Sequence, residues 1–252
     1  MSNNNVYYTK ADTPGIIQAS EKARETFKYM WRELSWEARR IVPATDLACV
    51  KVAFMQQFEE GAEPMFEYMW INDIYFDGEQ ISGILINDPN TLTNIENGDN
   101  VQVPLAQVSD WLLAGQGRTY GGFTIHHMRS EMTAKEREEH DAAWGLDFGD
   151  YDNIEIVYQQ QEHPEHLVEH PMSINMREKF IEFLQQYPEQ ISLTDEEGYT
   201  LLHRETIAGN RTSVEILLAH GADPSRETNS GKTALDFARQ LEWNHIVPLL
   251  EA

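Results

Sequence analysis

The chain has a single cysteine, Cys49, among 252 residues. One thiol forms no internal disulfide and excludes a zinc site built on cysteines. Cations are also scarce: 19 Lys and Arg stand against 42 Asp and Glu, a formal net charge of −23. Nucleic-acid binding relies on clustered cations that displace counterions from phosphate, so a nucleic-acid partner is not expected. An anionic membrane surface is disfavoured for the same reason. No apolar run approaches the roughly 18–20 residues of a membrane-spanning helix. Met1 to Asp12 lacks a basic head followed by an apolar stretch, so no secretory signal is expected. Gly115-Gln116-Gly117 lacks the third glycine and the lysine of phosphate-cradling loops. These absences lead to the expectation of a cytoplasmic protein without a cofactor.

Enough apolar material is present to build a core: hydrophobic residues make up 41% of the chain and aromatics 10%, which excludes wholesale disorder. The length suits one large domain or two modest ones. From Gln18 to Val42, Phe27, Met30, Trp31 and Leu34 recur at helical spacing, with Ser20 as a cap and Pro43 as a stop. Strand-like runs follow at Leu47 to Met55, Phe66 to Phe76 and Gln80 to Ile86, the last two flanking the turn dipeptide Asp77-Gly78. A short strand is expected at Val101 to Pro104 and another from Thr119 to His126. Thr133 and Glu136 are spaced as a capping box ahead of a charged helix that runs to Trp144. The pattern predicts an α+β domain on a mainly antiparallel sheet with flanking helices.

Towards the carboxyl end the chain repeats itself. Gly198-Tyr199-Thr200-Leu201-Leu202-His203 recurs as Gly231-Lys232-Thr233-Ala234-Leu235-Asp236, a spacing of about 33 residues. Between them lies Val214-Glu215-Ile216-Leu217-Leu218-Ala219-His220-Gly221-Ala222-Asp223. This order resembles the ankyrin repeat, a turn and two antiparallel helices. Leu201 stands where that family usually has proline, and Arg204-Glu205-Thr206 replaces its run of small residues. The resemblance implies that Thr200 caps a helix and that His203 bonds a neighbouring turn. A leading helical half-repeat is expected from Ser173 to Tyr187, on the spacing of Met176, Phe180, Phe183 and Leu184.

A second resemblance rests on Glu67-Tyr68-Met69-Trp70-Ile71-Asn72-Asp73-Ile74, Gly83-Ile84-Leu85-Ile86-Asn87-Asp88-Pro89, Gly98-Asp99, Ser109-Asp110-Trp111 and Gly121-Gly122-Phe123-Thr124. These ordered motifs, from about Glu21 to Arg129, are similar to the YegJ-like bacterial domain. That family implies a bacterial, cytoplasmic domain and supplies no catalytic residue. Its pairing with short ankyrin repeats is similar to proteins encoded near secreted toxins, a setting in which small acidic proteins serve as immunity factors.

Residue types that carry chemistry also have simpler roles. Glu162 to Pro171 interleaves His163, His166 and His170 with carboxylates, a composition suited to a divalent transition metal. Proline and polar residues between two modules equally make a linker, and the linker is preferred, with no metal site expected. His126 and His127 would end a strand and face opposite ways. One as a general base, oriented by Asp110 or Glu131, is set against simple packing, which is preferred because no Ser or Cys nucleophile motif lies nearby. Cys49 is expected to be a buried small hydrophobe. Asp73, Asp88, Asp99 and Asp110 suit Mg²⁺, Ca²⁺ or an acid–base pair, but turn hydrogen bonding accounts for them. Trp36, off the main helix stripe, and Trp243 are expected to be exposed contact residues.

The sequence therefore predicts an α+β domain at residues 5–158, a linker at 159–172 and an ankyrin-type module at 173–252. The expected function is non-enzymatic protein binding, most specifically an immunity protein whose acidic face steers to a basic toxin and occludes it. Expected partner contacts are Arg226, Glu227, Asn229 and Ser230, with Trp36 and Trp243. The alternatives are a metal-dependent hydrolase using Asp73, Asp88, Asp110 and His126, or an ankyrin scaffold for an endogenous cytoplasmic protein.

Overall fold

A computed structural model describes residues 13–251; the expected domain start at Asn5 and the final Ala252 lie outside the described residues. Two compact units emerge. One gathers the described residues up to Phe27 with 44–74 and 82–155, the other 28–43, 75–81 and 156–251.

In the first unit, helix α1 (Pro14–Glu37) contributes its opening turns. The helix begins ahead of the expected Gln18 because Thr13, not Ser20, caps it: the Thr13 hydroxyl accepts from the Ile16 amide at 3.4 Å. Pro14 takes the first helical position, where no N–H is needed. Strands β1 (Leu47–Gln56), β2 (Met65–Phe76), β3 (Gln80–Leu85), β4 (Asn100–Pro104), β5 (Val108–Gly115) and β6 (Arg118–Gly121) follow. Their order in the sheet is β4-β3-β2-β1-β5-β6, and β1 pairs antiparallel with both β2 and β5. Strand β5 is buried along nearly its whole length, because both faces of the sheet are covered there. On one face Trp111 donates its indole N–H to Thr26 of α1 at 3.1 Å. On the other, Leu112 packs with Cys49, Ile125 and Phe148.

The expected strand from Thr119 to His126 stops at Gly121, and helix α2 (Phe123–Glu131) begins two residues on. Gly121 and Gly122 both adopt positive φ, 74° and 71°, the left-handed region that favours glycine. This pair turns the strand sharply into a helix, so His126 and His127 are helical residues. Helix α3 (Ala134–Trp144) has the anticipated capping box between Thr133 and Glu136.

The second unit is helical. It takes the rest of α1, which ends at Glu37 rather than running to Val42, then α4 (Pro171–Asn175), α5 (Arg177–Gln186), α6 (Leu201–Ile207), α7 (Arg211–Ala219), α8 (Ala234–Gln240) and α9 (Val247–Leu250). The single helix expected from Ser173 to Tyr187 is two, broken at Met176, whose ψ of 3° leaves the helical range. Helices α6 and α8 open alike. Thr200 and Thr233 each accept the amide three residues on, while the side chains of His203 and Asp236 return a bond to the cap backbone. His203 then donates from Nε2 to the Arg226 carbonyl at 3.0 Å. Residues 159–172, expected to be a linker, include a 3-10 turn at Pro164–Leu167. No described helix is long and apolar enough to cross a membrane.

Candidate functional site

The four groups of the hydrolase alternative do different work. Asp110 is fully buried and spends its carboxylate on holding α2 to β5. Its Oδ1 accepts from the Trp111 and Phe123 amides, each at 2.9 Å. Its Oδ2 accepts from the Thr124 amide at 2.8 Å and the Thr124 hydroxyl at 2.5 Å. Gly122 occupies the cap position of α2 without a side chain to offer, so Asp110 supplies that cap from the neighbouring strand. Burial pushes its carboxyl upward, against the pull of these donors and of Lys51. Asp88 is exposed and accepts from Asn97 at 3.1 Å. Asp73 is exposed within β2 at a φ of 51°, a conformation Asp tolerates better than most residues.

His126 is buried, and its Nδ1 accepts from Arg129 at 3.2 Å. Arg129 in turn pairs with Asp141 at 2.7 Å and donates to the Gly149 carbonyl at 3.1 Å. Burial, reinforced by the Arg129 charge, lowers the His126 imidazole to about 4. Cys49 is buried as expected, and its thiol is pushed up to about 12 by burial and then by Asp110. No three of these groups converge as a ligand set among the described residues.

The helical unit carries the more accessible feature, an apolar groove of 740 Å³ lined by Ile41, Val42, Met176, Phe180 and Phe183, with Arg39, Arg40 and Lys179 among its polar members. Ile41 is 100% exposed and Val42 76%. They sit beyond the end of α1, in the segment the sequence had assigned to the helix. Trp36, Arg39 and Glu205 of the groove lining are joined in a polar chain. Trp36 donates its indole N–H to Asn210 Oδ1 at 2.9 Å, Asn210 donates to Glu205 at 2.8 Å, and Arg39 donates to Glu205 at 2.5 Å. The Trp36 ring stacks on His170, centroids 5.7 Å apart, and His170 Nε2 meets Glu33 at 2.8 Å.

Trp36 and Trp243 are therefore not exposed contacts. Their residual exposures are 5% and 1%, because each indole N–H finds an internal acceptor, Asn210 for Trp36 and the Ile207 carbonyl at 3.1 Å for Trp243. Sequence spacing placed Trp36 off the main stripe of α1 correctly but could not show that a second packing surface waits there. The other expected contacts, Arg226, Glu227, Asn229 and Ser230, are exposed on the turn before α8. That turn is pinned by the Asn229 amide on the Glu197 carbonyl at 2.9 Å and the Asn229 side chain on the Glu196 carbonyl at 2.9 Å.

His163, Glu165 and His166 lie together, each offering a ligand atom within 4.8 Å of the others. His170, the third imidazole of that stretch, is committed to Glu33 instead. The sequence named these residues as candidate ligands, and the linker was preferred because no one α-helix face carries His163, His166 and His170; here His163 opens the 3-10 turn that contains Glu165 and His166.

The chain thus combines a unit built on a six-stranded antiparallel sheet with a helical unit, a mixed α/β architecture. The chain belongs to the DUF2314 family, described as an uncharacterized protein conserved in bacteria, which it matches over residues 14–148. It is 50% identical over 251 residues to a protein of Neisseria meningitidis serogroup B named as an ankyrin repeat protein, covering 100% of this chain and 98% of that one. It is 29% identical over 73 residues to the uncharacterized protein YegJ of Escherichia coli K12, covering 29% of this chain and 48% of YegJ. A 45-residue stretch is 47% identical to mouse ARF GTPase-activating protein GIT2, covering 18% of this chain and 6% of that protein. No solved structure matches.

Proposed function

We propose that this chain is a non-enzymatic protein-binding protein and that the groove between the end of α1 and α5 receives an apolar segment of its partner. The observation that carries this reading is the full exposure of Ile41 beside Val42, Met176 and Phe183, an apolar group that water would otherwise bear alone. Rim donors suit the carbonyl oxygens at the carboxyl end of a partner helix: Arg39 spends one N–H on Glu205 and keeps others available. The name of the Neisseria relative agrees with a protein partner. The paired caps of α6 and α8, at the positions of the recurring motif, support an ankyrin-type arrangement for residues 173–252.

A finer reading is an immunity protein of the bacterial cytoplasm that occludes a toxin. The net charge of −23 favours it, since such a field speeds encounter with a basic partner. The exposed turn Arg226 to Ser230 then offers a second contact. The test is capture from host lysate by the wild-type chain and by Ile41→Asp/Phe183→Asp, with circular dichroism confirming the fold. Loss of the same captured protein with the double variant supports the groove. Its retention, with loss on Glu227→Lys, moves the contact to the turn. Co-expression of the captured protein decides the immunity role: relief of its toxicity supports it, and harmlessness from the outset removes it.

A further inference from the structure

We propose that His163, Glu165 and His166 form a binding site for a divalent first-row transition-metal ion of the Zn²⁺ class. The 3-10 turn Pro164–Leu167 sets the chemistry, since about three residues per turn brings side chains at i and i+3 onto one edge. His166 lies within the turn and His163 is the residue that opens it, three positions earlier, with the His166 amide donating to the His163 carbonyl at 3.0 Å. Their rings stack with centroids 5.0 Å apart and planes 23° from parallel. Glu165 reaches the same place, its Oε1 at 2.9 Å from His163 Nδ1.

The donor set selects the ion. Two imidazoles and one carboxylate suit Zn²⁺, Ni²⁺ or Cu²⁺, whereas Mg²⁺ and Ca²⁺ prefer all-oxygen shells. Zn–N bonds of about 2.0–2.1 Å place tetrahedral ligands about 3.4 Å apart. The present separations, within 4.8 Å, close to that by rotation of side chains of which His163 and Glu165 are exposed and His166 half-buried.

The surroundings already orient one ligand. His166 donates from Nδ1 to the Tyr158 carbonyl at 2.9 Å, which leaves the lone pair on Nε2 for a metal, the usual arrangement behind a ligating histidine. The backbone is held from below. Buried Arg32 donates to the carbonyls of His166 and Leu167, and the His163 amide donates to the Gln159 carbonyl at 2.8 Å. Three ligands from one short segment leave a fourth tetrahedral position for water or for a side chain of a partner.

The experiment uses the untagged full chain, since a histidine tag would bind the same ions. Zn²⁺ is titrated in competition with a chromogenic chelator, and Co²⁺ substitution is followed by its visible absorption. One equivalent is expected, with visible bands of a low-symmetry nitrogen and oxygen site. His166→Ala and, separately, His163→Gln each lower affinity at least ~10-fold, with unchanged circular dichroism. His220→Ala, away from the cluster, has no effect. Wild-type affinity in the triple variant His163→Ala/Glu165→Gln/His166→Ala overturns the site, as does wild-type binding weaker than ~1 mM.

Discussion

Asp110 shows how much one side chain can carry. Four donors converge on its two oxygens at 2.5 to 2.9 Å in a fully buried place. Asp110→Ala leaves the Phe123 and Thr124 amides without that acceptor and lowers stability by about 3 kcal/mol, read as a shift in the urea midpoint. His126 makes a pH-dependent contribution. Its imidazole titrates at about 4 in the fold against 6.5 in the unfolded chain, because burial and Arg129 oppose the proton, while Asp141 and Asp150 favour it. The unfolded chain thus binds the proton first on acidification. Stability from neutral His126 is whole above pH 6.5 and is lost towards pH 4, an effect of about 3 kcal/mol. Urea titrations of wild type and His126→Gln at several pH values check this: the difference between them shrinks between neutral pH and pH 4.5, and a constant difference removes the role. Both side chains were visible in the sequence as titratable groups. Neither role was, since the acceptor for a helix cap or the charge beside an imidazole arrives from a residue that only folding brings near.

At the scale of elements, local signals read best where the chain carries its own cap. The Thr133–Glu136 box, the turn at Asp77-Gly78 and the strands from Leu47, Phe66 and Gln80 lie close to where patterning put them. The strand expected through His126 failed where the cap is remote. Gly121-Gly122 alone is compatible with a strand end, and Asp110 decides that a helix follows. A Cβ at Gly121 would lie 2.5 Å from the Trp111 carbonyl oxygen, at a φ of +74°. Gly117 has a similar φ of +78° with open space around it. Gly121→Ala therefore costs more than Gly117→Ala, about 3 kcal/mol against about 1, and thermal denaturation of the pair checks the order. The caps of α6 and α8 predict near-equal losses for Thr200→Ala and Thr233→Ala, about 1 kcal/mol each. A loss confined to one of them would show that the two helices are not equivalent in their caps.

Across the whole molecule, stability and contact separate cleanly at the groove. Ile41 is fully exposed, so Ile41→Asp changes stability by less than about 0.5 kcal/mol while abolishing partner capture. Trp36→Ala does the opposite kind of damage: it removes a buried ring and leaves Asn210 with an unused acceptor, a loss of about 3–5 kcal/mol measurable by urea denaturation. What the sequence determined by itself was charge, the absence of a spanning helix among the described residues, most strands, the self-capped helices and the recurring Gly-x-Thr motif, all of which depend on neighbours along the chain. Tertiary structure alone decided that Trp36 and Trp243 turn inward, that Asp110 caps a helix, and that His163, Glu165 and His166 meet while His170 goes to Glu33. The physical reason is the same in each case. Burial and hydrogen-bond partnership are properties of what packs against a residue, and those partners lie too far along the chain for any local pattern to announce them.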